Sequence, residues 1–347
     1  LESTIHNKYM RRCIELAERG IGTARPNPSV GAVIVHNNKI IGEGFTSEYG
    51  GPHAEVNAVK SVKDTSLLKE ATIYVTLEPC SHFGKTPPCA NMIVDNGIPN
   101  VVIGTVDTNS LVAGKGINIL ESNGCNVTIG VLEEECKQQH KRFFTVQNKK
   151  RPYIILKWAQ TQDNFIAPKE KLENRPIWIS NEFSKQLVHK WRSEEHAILV
   201  GTNTAIDDNP LLNVRSWYGN NPVRIVIDKK LKLQHHLNIF NKEVKTIVIT
   251  GENKPNEDNL LYETIDFTKD VASQICEVLQ KNKIQSIIIE GGTQTLQTFI
   301  NANLWDEARV FTGENSFLEG IKAPILNLVP TFEQKIQSDI LRTYIND

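Results

Sequence analysis

The stretch ATIYVTLEPCSHFGKTPPCA, residues 71–90, is the one on which the fold turns. Its first part, ATIYVTLEP (71–79), is rich in β-branched and aromatic residues and ends in proline, which predicts a buried strand. Residues 79–88 are rich in Pro and Gly and predict a loop. A helix is predicted from Cys89 to about Asp95, ended by Gly97, because a proline before Cys89 suits a first helical turn. Upstream, His53 begins the helical pattern HAEVNAVKSV, and GAVIV (31–35) and KIIGEGF (39–45) flank a hairpin turn at His36-Asn37-Asn38. Met10, Cys13, Ile14 and Ala17 share one face of a helix over 8–19. Downstream, NVVIGTVD (100–107) and NVTIG (126–130) are strands around the helix GINILESNG (116–124). Strands alternating with short helices predict one complete α/β domain with helices on both faces of a sheet.

A charged break, QNKKRP (147–152), ends that pattern, and the boundary is placed there, giving domains 1–148 and 149–347. Beyond it, PYIILKWAQ (152–160), HAILVG (196–201), VRIVID (223–228), KTIVIT (245–250), IQSIIIE (284–290) and DEARVFTG (306–313) read as strands. Helices are predicted at NEFSKQLVHKW (181–191), with Ser180 as N-cap, at VASQICEVLQ (271–280) and at TQTLQTFINA (293–302). A chain of 347 residues exceeds one ordinary core, so two different α/β domains is the consistent reading.

Charge narrows the partners. The net charge is -1, and residues 1–150 carry 16 basic against 15 acidic side chains. Neither part is a polycation, which disfavours a protein that tracks a nucleic-acid backbone. No apolar run approaches 18 residues and the N-terminal residues lack a signal-peptide core, so the expectation is a cytoplasmic protein with no membrane partner. Of six cysteines, Cys13, Cys125, Cys136 and Cys276 stand apart and read as small buried hydrophobes.

Cys80 and Cys89 read differently, because with His53 they make an imidazole and two thiolates, a donor set suited to Zn2+. Three protein ligands leave a tetrahedral position for water, whose pKa the metal lowers from about 16 towards 7. Glu55, two residues after His53, is placed to point into the same pocket without ligating, as general acid and base for hydrolytic deamination. A closed structural zinc site is the alternative, with His82 as its fourth ligand. In the C-terminal half, Glu290-Gly291-Gly292-Thr293 between a strand and a helix would let backbone approach a phosphate, although no G-x-G-x-x-G is present.

The motifs HAE, TLEPC and SHFGKTPPC resemble the cytidine-deaminase-like superfamily. The long spacing in PCSHFGKTPPC, with RPNPSVGAVIV (25–35), GPHAEVNA (51–58) and AGKGINIL (113–120), is similar to the bifunctional riboflavin-biosynthesis deaminase/reductases. ILVGTNTAIDDNPLLNVR (198–215), RIVID (224–228), LKWAQTQD (156–163) and the EGG motif resemble the reductase half, in the same order. The resemblance implies a cytidine-deaminase-like α/β/α domain followed by a dihydrofolate-reductase-like α/β domain that uses NADPH. It implies deamination of 2,5-diamino-6-(5-phosphoribosylamino)pyrimidin-4(3H)-one, then reduction of the ribosyl group of 5-amino-6-(5-phosphoribosylamino)uracil to ribityl. It also implies a homodimer or homotetramer. By position, Asn27 and Lys85 would hold the first substrate. Gln160, Trp178, Thr204, Asp208, Lys229, Gly292, Thr293 and Gln294 would line the NADPH site. Arg192, Leu212, Arg215 and Glu290 would contact the second substrate, two guanidinium groups suiting a phosphate. Lys157, Asp208 and Glu290 are the ionisable residues expected near the reacting sugar carbon.

The chain departs from the family pattern at Thr46, Thr108, Ser110, Asn164 and Pro176, and Gln160 and Lys229 are also unusual there. Three rivals remain: a nucleic-acid base editor, a reductase beside an inert zinc-stapled domain, and a zinc-stabilised ligand-binding module. The first needs a basic strand-binding face, and intact His53, Glu55, Cys80 and Cys89 argue against the other two.

Overall fold

The computed structural model describes residues 2–81, 87–108, 113–169 and 177–346, so the expectations placed on His82, Lys85, Ser110 and Pro176 lie outside the described residues. The chain divides into two units, Leu1–Lys150 and Arg151–Asp347. That division falls beyond the expected 148/149 boundary because a helix continues to Lys149, and Lys150, with φ of 52°, then ends it.

The first unit runs α1 (Glu2–Glu18), β1 (Gly31–His36), β2 (Lys39–Phe45), α2 (Ala54–Ser61), β3 (Thr72–Leu77), α3 (Cys89–Asp95), β4 (Asn100–Thr105), α4 (Lys115–Ser122), β5 (Asn126–Ile129), α5 (Glu133–Gln139) and α6 (Lys141–Lys149). Its sheet has the order β2-β1-β3-β4-β5, with β1 antiparallel to both neighbours and β3, β4 and β5 parallel. Strand periodicity splits the core in two. Ala32, Ile34, Ile73, Val75, Val101 and Ile103 pack with α2, α3 and α4 on one face. Val33, Val35, Tyr74 and Val102 meet α1 on the other, through Tyr9, Met10, Cys13 and Leu16. Burying each of these larger side chains contributes about 1.5–3 kcal/mol, so the alternation is what holds helices on both faces. Cys13 and Cys136 are fully buried in the second cluster, and burial pushes both thiols up.

The second unit runs β6 (Tyr153–Gln160), β7 (Phe165–Pro168), α7 (Glu182–Glu194), β8 (Ala197–Gly201), α8 (Thr202–Asp208), β9 (Val223–Ile227), β10 (Thr246–Thr250), β11 (Leu260–Thr264), α9 (Val271–Lys281), β12 (Ser286–Ile289), α10 (Thr293–Asn301), β13 (Glu307–Thr312), β14 (Gly320–Lys322), β15 (Phe332–Ile336) and β16 (Asp339–Ile345). The main sheet is ordered β11-β10-β9-β8-β12-β6-β13-β16-β15, parallel up to β13 and closed by an antiparallel hairpin. The odd and even residues of β6, β8 and β12 again face opposite clusters, one under α9 and α10, the other under α7. β12 enters late in the chain between β8 and β6, so the carboxyl ends of these strands border a crevice, the usual ligand position in such sheets.

Two expectations need correction. The N-cap of α7 is Asn181, not Ser180: the Asn181 side chain accepts from Ser184 N at 3.0 Å. Tertiary contacts choose between two residues of similar capping strength, since Asp339 accepts from Asn181 N at 2.8 Å and from Ser184 Oγ at 2.6 Å. The structure also adds β7, β11, β14, β15, β16 and the short helices α5, α6 and α8, which the sequence pattern does not mark. Among the described residues no helix is long and apolar enough to cross a membrane.

Candidate active sites

In the first unit, three chain segments bring three candidate ligands together. His53 is the N-cap of α2 (φ -72°, ψ 166°), with Asn57 N bonded to its carbonyl at 3.0 Å. Cys80 follows the end of β3, and Cys89 opens α3 behind Pro88. The ligand atoms of His53, Cys80 and Cys89 all lie within 4.8 Å of one another. His53 Nδ1 stands 3.6 Å from Cys80 Sγ and 3.4 Å from Cys89 Sγ. The Cys80 sulfur accepts the Cys89 N–H at 3.3 Å, and Ala90 N bonds to the Cys80 carbonyl at 3.2 Å, so the two cysteines are locked together by backbone.

The electrostatics suit a cation. Cys80 is pulled down to about 4, first by its contact with the Cys89 thiol and then by His53 and the Cys89 amide, against burial. Cys89 is pushed up by the same sulfur contact and by burial. One nitrogen and two sulfurs at this separation match the zinc donor set, and among the described residues no further His, Cys, Asp or Glu joins the three. Glu55, on the first turn of α2, is 4% exposed. Burial, then the Cys80 charge, raises it from the ordinary carboxylate range to about 7.

Glu78 escaped the sequence reading. Its buried carboxylate accepts backbone N–H groups from Asp107 (3.3 Å), Gly114 (3.0 Å), Gly116 (2.9 Å) and Ile117 (3.4 Å). It thereby ties the start of α4 to the strand end that carries Cys80; a side chain at Gly116 would place its Cβ 2.0 Å from the Pro79 carbonyl oxygen. An acid inside an otherwise apolar strand was the available signal. Asn27 stands in the turn before β1, its amide bonded to Ala24 O at 3.0 Å, and Thr46 is buried with its hydroxyl accepting from Val30 N at 2.9 Å.

The second unit holds a cavity of about 1030 Å³. Of the expected residues, Lys157, Trp178, Arg192, Thr204, Asp208, Leu212, Arg215, Glu290, Gly292, Thr293 and Gln294 line it. Gln160 and Lys229 are not among its lining residues. The Gln160 amide accepts from Trp158 Nε1 and donates to Asn164 Oδ1, both at 2.8 Å, while the Lys229 ammonium sits 5.4 Å from the centre of the Phe267 ring. Asn164, one of the expected departures from the family pattern, takes φ of 64°, a left-handed conformation that Asn tolerates better than most residues.

Glu290, just past β12, is the charge centre of this cavity. Arg192 Nη2 lies 2.9 Å from its Oε2, and Lys157 Nζ 3.6 Å from its Oε1. Burial alone would raise Glu290, but Arg192 and Lys157 outweigh it and hold the carboxyl at about 2. Burial lowers Lys157 despite Glu290. A dinucleotide fits the remainder of the cavity. The space over Gly292 is open, an added Cβ meeting only Thr204 Oγ1 at 3.7 Å. The Gly292 amide is already given to Thr204 Oγ1 at 3.1 Å, so the amides of Thr293 and Gln294, which open α10 and have no carbonyl behind them, are the donors left for a phosphate. Trp178, half exposed beneath the Lys185 ammonium at 4.0 Å, offers an aromatic face.

Comparison with known proteins matches two stretches of the chain to two family models. Residues 3–105 match the cytidine and deoxycytidylate deaminase zinc-binding region, and residues 152–314 match the RibD C-terminal domain. The riboflavin biosynthesis protein RibD of Aquifex aeolicus is 39% identical over 322 residues, covering 91% of this chain and 89% of that protein. Its counterpart from Actinobacillus pleuropneumoniae is 40% identical over 296 residues, covering 82% and 77%. Among solved structures, a diaminohydroxyphosphoribosylaminopyrimidine deaminase/5-amino-6-(5-phosphoribosylamino)uracil reductase from Thermotoga maritima is similar with a TM-score of 0.91 at 34% identity, covering 100% of each chain. Acinetobacter baumannii RibD is similar with a TM-score of 0.87 at 30% identity, covering 99% of each chain.

Proposed function

This chain belongs to the RibD family of riboflavin-biosynthesis enzymes, and on that premise we propose which of its side chains carry each reaction. The enzyme is bifunctional: a zinc-dependent hydrolytic deaminase of 2,5-diamino-6-(5-phosphoribosylamino)pyrimidin-4(3H)-one and an NADPH-dependent reductase of the resulting 5-amino-6-(5-phosphoribosylamino)uracil. The deaminase reaction is assigned to the first unit and the reductase reaction to the second, with the domains taken as 1–150 and 151–347.

In the first unit His53, Cys80 and Cys89 would hold the zinc, which when bound supplies a polarised water of lowered pKa. Glu55 takes a proton from the attacking water and delivers it to the departing 2-amino nitrogen. Water oxygen is gained at the ring carbon, the second water proton passes to the adjacent ring nitrogen as the carbonyl forms, ammonia is lost, and the carboxylate ends as it began. Burial supports this role, because it pushes the Glu55 carboxyl up from its ordinary range and so eases the uptake of a proton. Asn27 and Lys85 are assigned to holding the first substrate by family resemblance alone.

In the second unit bound NADPH would supply a hydride for the ribosyl C1. Thr204, Asp208, Trp178 and the Gly292–Gln294 segment would bind it, and all of them line the same cavity. Arg192 and Arg215 take the substrate phosphate, with Leu212 beneath the sugar. Lys157 gives a proton to the ribose ring oxygen as the ring opens, and Glu290 holds Lys157 and Arg192 in place. Gln160 and Lys229 keep only their family-based assignment to the cofactor.

The observation that carries the whole is the convergence of His53, Cys80 and Cys89 beside a buried Glu55. Its test is product mass from the diaminopyrimidine substrate. Without NADPH the deaminated uracil is expected to accumulate with one ammonia per substrate, and added NADPH then converts it to the ribityl product. A reduced product that still carries the 2-amino group would reverse the order of steps. Self-association into a dimer or tetramer is also proposed, supported by an exposed edge strand, β15, which opens on Phe332 at 56% exposure and follows Val329 at 85%. Two cysteines assigned to zinc and four others outside any disulfide suit a reducing cytoplasm. Sedimentation at the mass of one 39.1 kDa chain, or recovery outside the cytoplasmic fraction, would contradict these two assignments.

A further inference from the structure

One wall of the reductase cavity is the loop from Asn209 to Arg215, whose backbone is held in a shape that its residues do not favour. Asn209 (φ 39°) and Leu212 (φ 50°) are both left-handed, and a leucine rarely adopts that conformation. Such a loop must be held from outside. Asn238 holds one end, giving its amide to Asn209 Oδ1 at 2.8 Å and its side-chain N–H to Asn209 O at 2.7 Å. Helix α7 holds the other: Arg192 Nη1 donates to Asn213 O at 3.3 Å, and the Arg215 N–H donates to His189 Nδ1 at 3.3 Å. His189 and Arg192 are three residues apart and so share a helix face. His189 lines the cavity, is 5% exposed, and has no part in the roles assigned above.

We propose that His189 is a positioning residue for the reductase reaction: its Nδ1 lone pair holds the Arg215 backbone and so aims the Arg215 guanidinium at the substrate phosphate. The inference rests on the assignment of Arg215 to that phosphate. An accepting Nδ1 requires a neutral ring with its proton on Nε2. The surroundings favour that form: burial, then the charges of Arg192 and Arg215, draws His189 down to about 4, against Glu290. The ring thus presents one fixed acceptor to the loop, and Arg215 Nη1 is braced in turn by Asn213 Oδ1 at 3.1 Å.

Three substitutions in the full chain separate the roles of the ring. Asn places its Oδ1 where Nδ1 stands, Gln reaches only the Nε2 end, and Leu fills space with neither. His189→Leu and His189→Gln are expected to raise KM for 5-amino-6-(5-phosphoribosylamino)uracil about tenfold, the scale of one lost hydrogen bond. The kcat and the KM for NADPH stay within about twofold, and His189→Asn restores the substrate KM to within about threefold of the native value. Arg215→Ala alone raises the same KM at least as far, and adding His189→Leu to it changes KM by less than about twofold, because both act through one contact. An unchanged KM in Arg215→Ala overturns the phosphate assignment itself. A raised KM in Arg215→Ala with no effect, or a fully multiplicative effect, of His189→Leu overturns the role of His189 alone. Equal losses in kcat, NADPH binding and thermal stability across all three variants, Asn included, also overturn it, since a packing role predicts that pattern.

Discussion

Glu55→Gln is expected to cut ammonia release from the diaminopyrimidine by at least ~10³-fold while leaving reduction of the aminouracil at its native rate. The size follows from double duty: one carboxyl both removes the proton from water and returns it to the leaving nitrogen, and each such transfer is worth about 10²–10⁴ in rate. Glutamine keeps the shape of the 4%-exposed side chain, so packing on α2 is preserved. The ligand atoms of His53, Cys80 and Cys89 are untouched, and bound zinc per chain, measured by elemental analysis, should stay at the native value. Loss of zinc together with loss of deamination would mean that Glu55 supports the metal rather than the protons. Deamination within about tenfold of native would remove it from the reaction.

The second large effect is expected at Glu290. Two cations depend on this one carboxylate, Arg192 at 2.9 Å and Lys157 at 3.6 Å, and all three side chains are at most 15% exposed. Glu290→Gln therefore leaves two buried positive charges uncompensated. Removing one partner of a buried pair typically costs about 3–5 kcal/mol. For a unit of this size each kcal/mol lowers Tm by roughly 2–4 °C, so the transition that NADPH raises should fall by about ten degrees. The reductase kcat should fall at least ~10²-fold, because Lys157 and Arg192 lose the group that spaces them, while deamination by the same molecules is unchanged.

Acid titration gives an independent reading of the same site. The Glu290 carboxyl is held at about 2, below its ordinary value of about 4.3, so its stabilisation is complete above that ordinary value and is lost as pH falls through about 2. Native protein should lose stability across that acid window more steeply than Glu290→Gln. Parallel acid profiles would show that the carboxylate is not held by its two cations.

How far the chain was legible differs from element to element, for physical reasons. β1, β3 and β4 were readable because their alternating residues face two separate cores. β15 was not, since FEQKI is almost wholly exposed and nothing in its pattern marks a strand until β16 pairs with it. Helix α5 buries only Cys136 and shows no apolar stripe. Gln160 and Lys229 are placed by family position alone, and no local pattern reveals the neighbours that their side chains meet, Trp158, Asn164 and Phe267.

Local order in the chain is enough to single out His53, Cys80 and Cys89 as a candidate zinc set with Glu55 beside it, because each of the three sits at the start of a helix or just past the end of a strand, and those termini are set by prolines and by short-range periodicity. The charge centre of the reductase is of another kind. Lys157, Arg192 and Glu290 come from three elements spread over more than a hundred residues, and only insertion of β12 between β8 and β6 makes them neighbours. His189 and Glu78 are the same case: an ordinary helical histidine and an ordinary acid acquire a role from the backbone amides that distant loops present to them. Short-range patterns encode the covalent and helical geometry of a motif, whereas strand order is a property of the collapsed core and is absent from any local window.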